Sequence, residues 1–277
     1  MSTAGLQGVS RESLAAARET LGTLVRSGDT DLGALSDELF ELTSVLDRER
    51  GLRRALTDPS RNGDDRAGLA REVLGGDRIG GAALDVLVWA VRARWSAPRD
   101  LADALEQLAV EAQVAKAEQA GRLDSVEDEL FRTARIVAGS PQLRVALSDL
   151  SAPLESRAAL IEGLLDGRTT EETRRLVRQA VTSPRGRTFD RILTEYGEVA
   201  AERRSRLVAT VTASVPLTEE QRSRLAAVLA RTYGHEVHLN VEVDPDVIGG
   251  IRVAIGDEVI DGSVLSRLDD ARRRLAG

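Results

Sequence analysis

Residues 37–60 read DELFELTSVLDRERGLRRALTDPS, and residues 128–151 read DELFRTARIVAGSPQLRVALSDLS. DELF at 37–40 returns at 128–131, LRRALTDPS at 52–60 returns as LRVALSDLS at 143–151, and RAGL at 66–69 returns as RAAL at 157–160. Every pair lies 91 residues apart. Over 37–76 against 128–167 there are 15 identities in 40 ungapped positions, where chance at ordinary composition gives about 3. Leu14/Leu105, Leu32/Leu123 and Leu35/Val126 extend the register upstream. One module has been copied, so its secondary structure decides most of the fold.

That module reads as helix. Leu32, Leu35, Leu39, Leu42 and Leu46 recur at a 3-4-3-4 spacing, which sets all five on one helical face. Upstream, Ser10 can cap a helix carrying Leu14, Leu21, Leu24 and Val25, with Gly28 past its end. Downstream come a short helix with Leu52 and Leu56, a segment with Leu69, Val73 and Leu74, and one with Ile79, Leu84, Leu87, Val88 and Val91. Pro98 opens a longer helix running towards Gly121. The second copy continues through a Thr169-x-x-Glu172 capping box, a helix with Leu176, Val177 and Val181, and another with Phe189, Ile192, Leu193, Tyr196 and Val199. Two copies are too few for a solenoid, so two linked bundles are expected.

After Arg206 the apolar period changes from 3.6 to 2. Leu207, Ala209, Val211, Ala213 and Val215 describe a half-buried strand ended by Pro216. Thr218-x-x-Gln221 caps a helix with Leu225, Val228 and Leu229, stopped by Gly234. Val237 to Val243 alternate as a second strand ended by Asp244–Pro245, and Ile251, Val253 and Ile255 form a third. Gly256–Asp257 suits a two-residue hairpin into a short fourth strand, and Ser263 can cap a last helix with Val264, Leu265, Leu268 and Leu275. The expected fold is mainly α: two helical bundles, then a small α/β domain. The boundaries fall at 1–97, 98–204 and 205–277, and the helix from Pro98 to Ala120 can serve both bundles.

Composition narrows the function. With 38 Lys and Arg against 45 Asp and Glu, the net charge is −7. The chain lacks the basic field that draws proteins onto nucleic acid. Lys116 is the only lysine, and the arginines are dispersed rather than gathered in one patch. The absence of cysteine excludes disulfides, thiolate catalysis and Cys-ligated metal. The longest apolar run, near Val86 to Val91, is far below the ~18 residues needed to span a bilayer. The N-terminus has no signal pattern, so the reading is a soluble intracellular protein that reaches a membrane only through a partner.

The C-terminal stretch carries a resemblance. PLTEEQ at 216–221 and VHLNVEVDPDVIGGIRVAIGDEVIDGSVLSRL at 237–268 are similar to the signature of the F-type ATP synthase δ subunit, the oligomycin-sensitivity-conferring protein family. Its turn and hairpin pattern matches at Asp244, Pro245, Ile248, Gly249, Gly250, Gly256, Asp257, Val259, Ile260, Asp261, Gly262 and Ser263. Residues 104–203, best at AEQAGRLDSVEDEL 117–130, resemble the family's N-terminal six-helix bundle, which leaves the first copy as about a hundred extra residues. The resemblance implies a non-catalytic stator without cofactor or metal. In it the helical domain grips amphipathic N-terminal helices of the enzyme's α subunits, and the C-terminal domain meets the C-terminal end of the b subunit. It implies a peripheral place at the cytoplasmic face of the cell membrane. Two bundles offer similar faces, so which one docks stays open.

Sharper site readings lose to structural ones. Gly249–Gly250 and Gly256 have no P-loop lysine or GxGxxG and read as turn glycines. His235 and His238, three apart on a strand, point to opposite faces and make no metal pair. Asp257 and Asp261 read as a turn residue and the lead into a helix cap rather than paired catalytic carboxylates. Arg203, Arg204, Arg206 and Arg272 to Arg274 sit near helix C-termini, where cations are expected. Trp89 and Trp95 read first as packing and second as a docking groove. The rival function is a helical scaffold for amphipathic peptides outside any ATP synthase; a hydrolase on the C-terminal hairpin is remote.

Overall fold

The computed structural model describes residues 6–76, 79–149, 151–205, 208–233, 237–244, 247, 250–255 and 258–261. The chain is mainly helical with a small α/β C-terminal part, and it divides into two compact units, Met1–Ala200 and Ala201–Gly277. The first copy gives α1 (Val9–Ser27), α2 (Leu32–Arg48), α3 (Arg50–Leu56), α4 (Gly63–Leu74), α5 (Gly81–Arg92) and α6 (Pro98–Gln119). The second gives α7 (Leu123–Gly139), α8 (Pro141–Ser148), α9 (Leu154–Leu165), α10 (Glu171–Thr182) and α11 (Phe189–Ser205). Helices α7, α8 and α9 each start 91 residues after α2, α3 and α4, and α11 starts 91 after α6. Between α5 and α10 the spacing is 90, so one residue is lost and then regained.

Residues identical in both copies do the same jobs. Glu129 accepts from the Thr170 amide (2.9 Å) and the Thr173 hydroxyl (2.6 Å) at the N-terminus of α10. Glu38 stands at the matching place before α5, its carboxylate oxygens 3.0 Å from where a Cβ on Gly80 would lie. Negative charge is favoured at that end of a helix, where amides lack partners. Arg66 donates to the Arg92 and Ala93 carbonyls (3.0 and 3.2 Å) at the end of α5, and Arg157 donates to Val181 O (3.1 Å) at the end of α10. Asp58 and Asp149 each accept from the amide two residues on, Ser60 and Ser151, both at 2.9 Å. The same serine hydroxyls, before other causes, hold both carboxyls below their ordinary range.

Helix α6 is buried on nearly every side, from Leu101 through Ala117, because both copies pack on it. A helix apolar or small all round belongs inside. Two caps differ from expectation. Ser10 lies within the first turn of α1, where its hydroxyl donates to Asp100 at 2.6 Å, and the cap position falls to Gly8. Thr170 rather than Thr169 caps α10, and Glu172 turns inward to Arg122 instead of closing a box, at 2.5 Å.

The second unit contains β1 (Val208–Ala213), α12 (Glu219–Tyr233), β2 (His238–Val243), β3 (Ile251–Ile255) and β4 (Glu258–Asp261) in the sheet order β2-β1-β3-β4. β1 and β2 are parallel across the α12 crossover; the other pairs are antiparallel. Alternation puts Ala209, Val211, Val253 and Ile255 on one face, against Leu229 of α12. Thr218 and Gln221 close the expected box, the Gln221 amide donating to the Thr218 hydroxyl at 3.2 Å and the Thr218 amide to the Gln221 carboxamide oxygen at 2.9 Å. The Gly234 stop, the Gly256–Asp257 turn and the last helix lie outside the described residues.

Candidate docking faces of the helical unit

Helix α2 is amphipathic on two stripes. Leu32, Leu35, Leu39, Leu42 and Leu46 face the first copy's core. A second stripe, Gly33, Ser36, Phe40 and Thr43, is also buried, ending at half-buried Asp47. This stripe lies on α6 and α10. The Ser36 hydroxyl donates to Ala109 O at 2.8 Å, and a Cβ on Gly33 would stand 2.8 Å from the Lys116 ammonium. Glycine there permits the close approach. Asp37 pairs with Arg175 at 2.6 Å, and Phe40 and Ser44 share a cleft with Arg178, Gln179 and Thr182. Burial pushes the Asp37 carboxyl up, against the opposing pull of Arg175 and then Lys116. Gly33 near Lys116 and Asp47 near the start of α6 make the two helices antiparallel.

At that end sits a buried ionic cluster. The Arg185 side chain, 4% exposed, reaches Asp47 (2.6 Å), Asp103 (2.6 Å) and Glu106 (2.5 Å). Glu106 also takes Arg187 and the Tyr196 hydroxyl (3.1 Å), and Arg187 reaches Glu195 at 2.8 Å. Desolvation opposes the Arg185 charge, but the Asp47 hydrogen bond and the Glu106 and Asp103 charges outweigh it and raise its pKa. Burial pushes Asp103 up despite Arg185, and burial followed by the Glu106 charge pushes the Tyr196 phenol well up. Arg185 holds φ +52°, the left-handed region, which side chains other than glycine rarely adopt. The cluster joins α2, α6, α11 and the turn before it. Sequence reading missed it because its partners are 79 to 138 residues apart. The available sign was Glu106 itself, a charge amid the Leu and Ala of α6.

The second copy leaves the equivalent stripe bare. Phe131 is 61% exposed where Phe40 is 6% exposed. The Arg135 guanidinium lies 5.7 Å from the Phe131 ring centroid, and Asp124 and Ala138 on that flank are exposed.

Of the signature residues, Asp244 follows β2, its amide donating to Ala213 O at 2.9 Å and its carbonyl accepting from Val247 at 3.2 Å. Gly250 holds φ +91° just before β3, and Asp261 lies opposite Arg252 in the β3–β4 register. Pro245, Ile248, Gly249, Gly256, Asp257, Gly262 and Ser263 lie outside the described residues, as do His235, Arg206 and Arg272 to Arg274. His238 opens β2, and Arg203 and Arg204 fall in the last turn of α11. Trp95 donates its indole N–H to Ala90 O at 2.8 Å, and Trp89 is half-buried on α5.

The family described as ATP synthase delta (OSCP) subunit matches residues 102–275. ATP synthase subunit delta of Streptomyces coelicolor is 51% identical over 272 residues, covering 98% of this chain and 99% of that protein. The subunit of Streptomyces avermitilis is 52% identical over 269 residues (97% and 98%), and that of Kineococcus radiotolerans 53% over 270 residues (98% of each). The family match begins inside α6, whereas these relatives align through the first copy as well.

Proposed function

Because this chain belongs to the ATP synthase delta (OSCP) subunit family, we propose that it works as the stator piece joining the catalytic head to the peripheral stalk. It is a structural subunit of the ATP synthase, not a catalytic one. Its helical unit receives amphipathic N-terminal helices of the α subunits, and its C-terminal unit receives the C-terminal end of the b subunit. Within the helical unit, 1–97 form an extra bundle and 98–204 the δ-type bundle, with 205–277 as the stalk-facing domain. The turn at Asp244, Pro245, Ile248, Gly249 and Gly250, and the hairpin from Gly256 to Ser263, shape that domain and carry no chemistry. The protein sits peripherally at the cytoplasmic face. No helix among the described residues is long and apolar enough to cross a membrane.

The observation that supports this reading is identity near 50% along almost the whole length of delta subunits. Physics agrees with the role. Holding the head still against rotor torque requires stiffness, and close-packed helices resist shear. Attachment at two ends makes each contact locally concentrated, so modest interfaces hold. The test is to tag the chain, purify from native membranes and assay the assembly. Recovery of head and b subunits, with ATP-driven proton pumping lost on deletion of the chain, is the expected result. Recovery alone with no head subunit would place it outside the enzyme and favour a free scaffold.

A further inference from the structure

Although dispersed along the chain as a whole, the arginines crowd once. Arg48, Arg50, Arg53 and Arg54 fall within seven residues, more than in any other stretch of that length. They stand where α2 turns into α3. Arg53 has structural work: it donates to Leu46 O at 3.1 Å and pairs with Asp47 at 3.3 Å. Asp47 in turn holds Arg185, which holds Glu106, so the corner is braced onto α6. Arg48, Arg50 and Arg54 are exposed and make no ion pair among the described residues, and Glu49, the acid between them, pairs with none of them. Helix chemistry accounts for Arg48 and Arg54, which lie in last turns, but Arg50 opens α3, where a cation is disfavoured. The second copy supplies the control. The same corner forms between α7 and α8 with Gly139, Pro141 and Val145 in place of these three arginines. Val145 is 70% exposed, so the corner is a surface there too, and the fold does not require the cations.

We propose that Arg48, Arg50 and Arg54 bind a carboxylate-rich segment of another subunit of the assembly. This rests on the stator reading and adds a contact to it. Like charges gathered on one corner repel, and a partner's Asp and Glu side chains relieve that. The planar fork of a guanidinium pairs with a carboxylate through two hydrogen bonds at once. Anionic lipid is the poorer match, since surface attachment takes about four to eight clustered cations. No large apolar side chain is exposed between Val9 and Val73 to enter a bilayer. Nucleic acid would meet a chain of net charge −7. The same lack of an apolar anchor makes the partner segment an acidic loop or tail rather than an apolar-striped helix.

Lys116 is the only lysine, so Lys116→Arg with Arg50→Lys leaves a single side-chain amine, at the corner. A carbodiimide added to the purified enzyme activates carboxylates. The amine then attacks, an amide forms, and the reagent leaves as its urea with the oxygen lost by the acid. The expected result is an adduct to another subunit, with mass spectrometry placing the amide at an Asp or Glu of an acidic run. Its yield should fall about tenfold at ~0.5 M salt, where screening reaches ~4 Å. Arg54→Lys in the same background gives the same partner. Arg144→Lys, at the second-copy corner, gives none, and an equal adduct from there would overturn the assignment. Vesicles of about one-third phosphatidylglycerol should not sediment the chain. If they sediment it, but not the variant carrying Arg48→Gln, Arg50→Gln and Arg54→Gln, the corner belongs to lipid and the proposal falls. Adducts only to this chain's own acids, in an enzyme that keeps its head subunits, would also overturn it and leave the stator reading standing. Recovery of the chain without any head subunit would remove both.

Discussion

Arg185→Met offers the sharpest test of the physical reading of the helical unit. The guanidinium is enclosed, 4% exposed, and makes contacts of 2.5 to 2.6 Å to three carboxylates. Removing one side of a buried pair costs about 3–5 kcal/mol, because the other charges stay behind without compensation. The structure selects the lower end of that range. Asp47 and Asp103 are 29% and 36% exposed and can be rehydrated, while Glu106 keeps Arg187 and the Tyr196 hydroxyl. A loss of about 3 kcal/mol in a unit of this size lowers its melting transition by roughly 6–12 °C. Scanning calorimetry on the full chain, following the helical transition, measures it. Two companion comparisons separate the causes. Arg185→Gly loses the same charge but relieves the positive φ, so it should be more stable than Arg185→Ala by about 1 kcal/mol. Combining Arg185→Met with Asp47→Asn, Asp103→Asn and Glu106→Gln should recover part of the loss, since neutral neighbours no longer repel. A shift below about 2 °C for Arg185→Met would refute the claim that this cluster ties the two copies together.

Three further outcomes are expected. Phe40→Ala should destabilise by about 3 kcal/mol and Phe131→Ala by less than about 0.5 kcal/mol in denaturant titrations, although both phenylalanines stand at the same repeat position. Burial raises the Glu172 carboxyl, but the Arg122 hydrogen bonds win and its pKa is lowered from 4.5. A lowered acid stabilises the fold above its unfolded value and loses that contribution as pH falls through the folded one. Glu172→Gln should therefore flatten the fall in melting temperature below about pH 4.5. Gly121 ends α6 at φ +66°, so Gly121→Ala should cost about 1 kcal/mol in thermal melts while leaving helix content unchanged by circular dichroism.

Most of the fold was legible because the chain repeats itself. A single leucine period could be read twice, and the change to period 2 after Arg206 marked the start of the α/β part. What could not be read were contacts made across the repeat. Phe40 and Phe131 sit in the same DELF, yet one is covered and the other bare, because only α2 has a second copy to lie against. Local pattern says which face of a helix is apolar, not which neighbour arrives to cover a second face. Spacing alone points to Ser10 and Thr169 as caps, whereas Ser10 turns to Asp100 with the cap two residues earlier at Gly8, and the adjacent Thr170 caps α10. Arg185 gave no local sign, since a lone arginine after proline looks like any exposed turn.

The double burial of α6 has a mechanical consequence. Twenty-two residues of continuous helix, about 33 Å of rod, belong to both copies at once. The duplication therefore added five helices rather than six, and no linker of irregular chain separates old from new. A push on the first copy passes along the spine by compression of hydrogen-bonded backbone, which yields far less than a hinge would. Cutting the chain before Pro98 would not release a spare module but peel the wall from a column, leaving one flank of α6 bare to water.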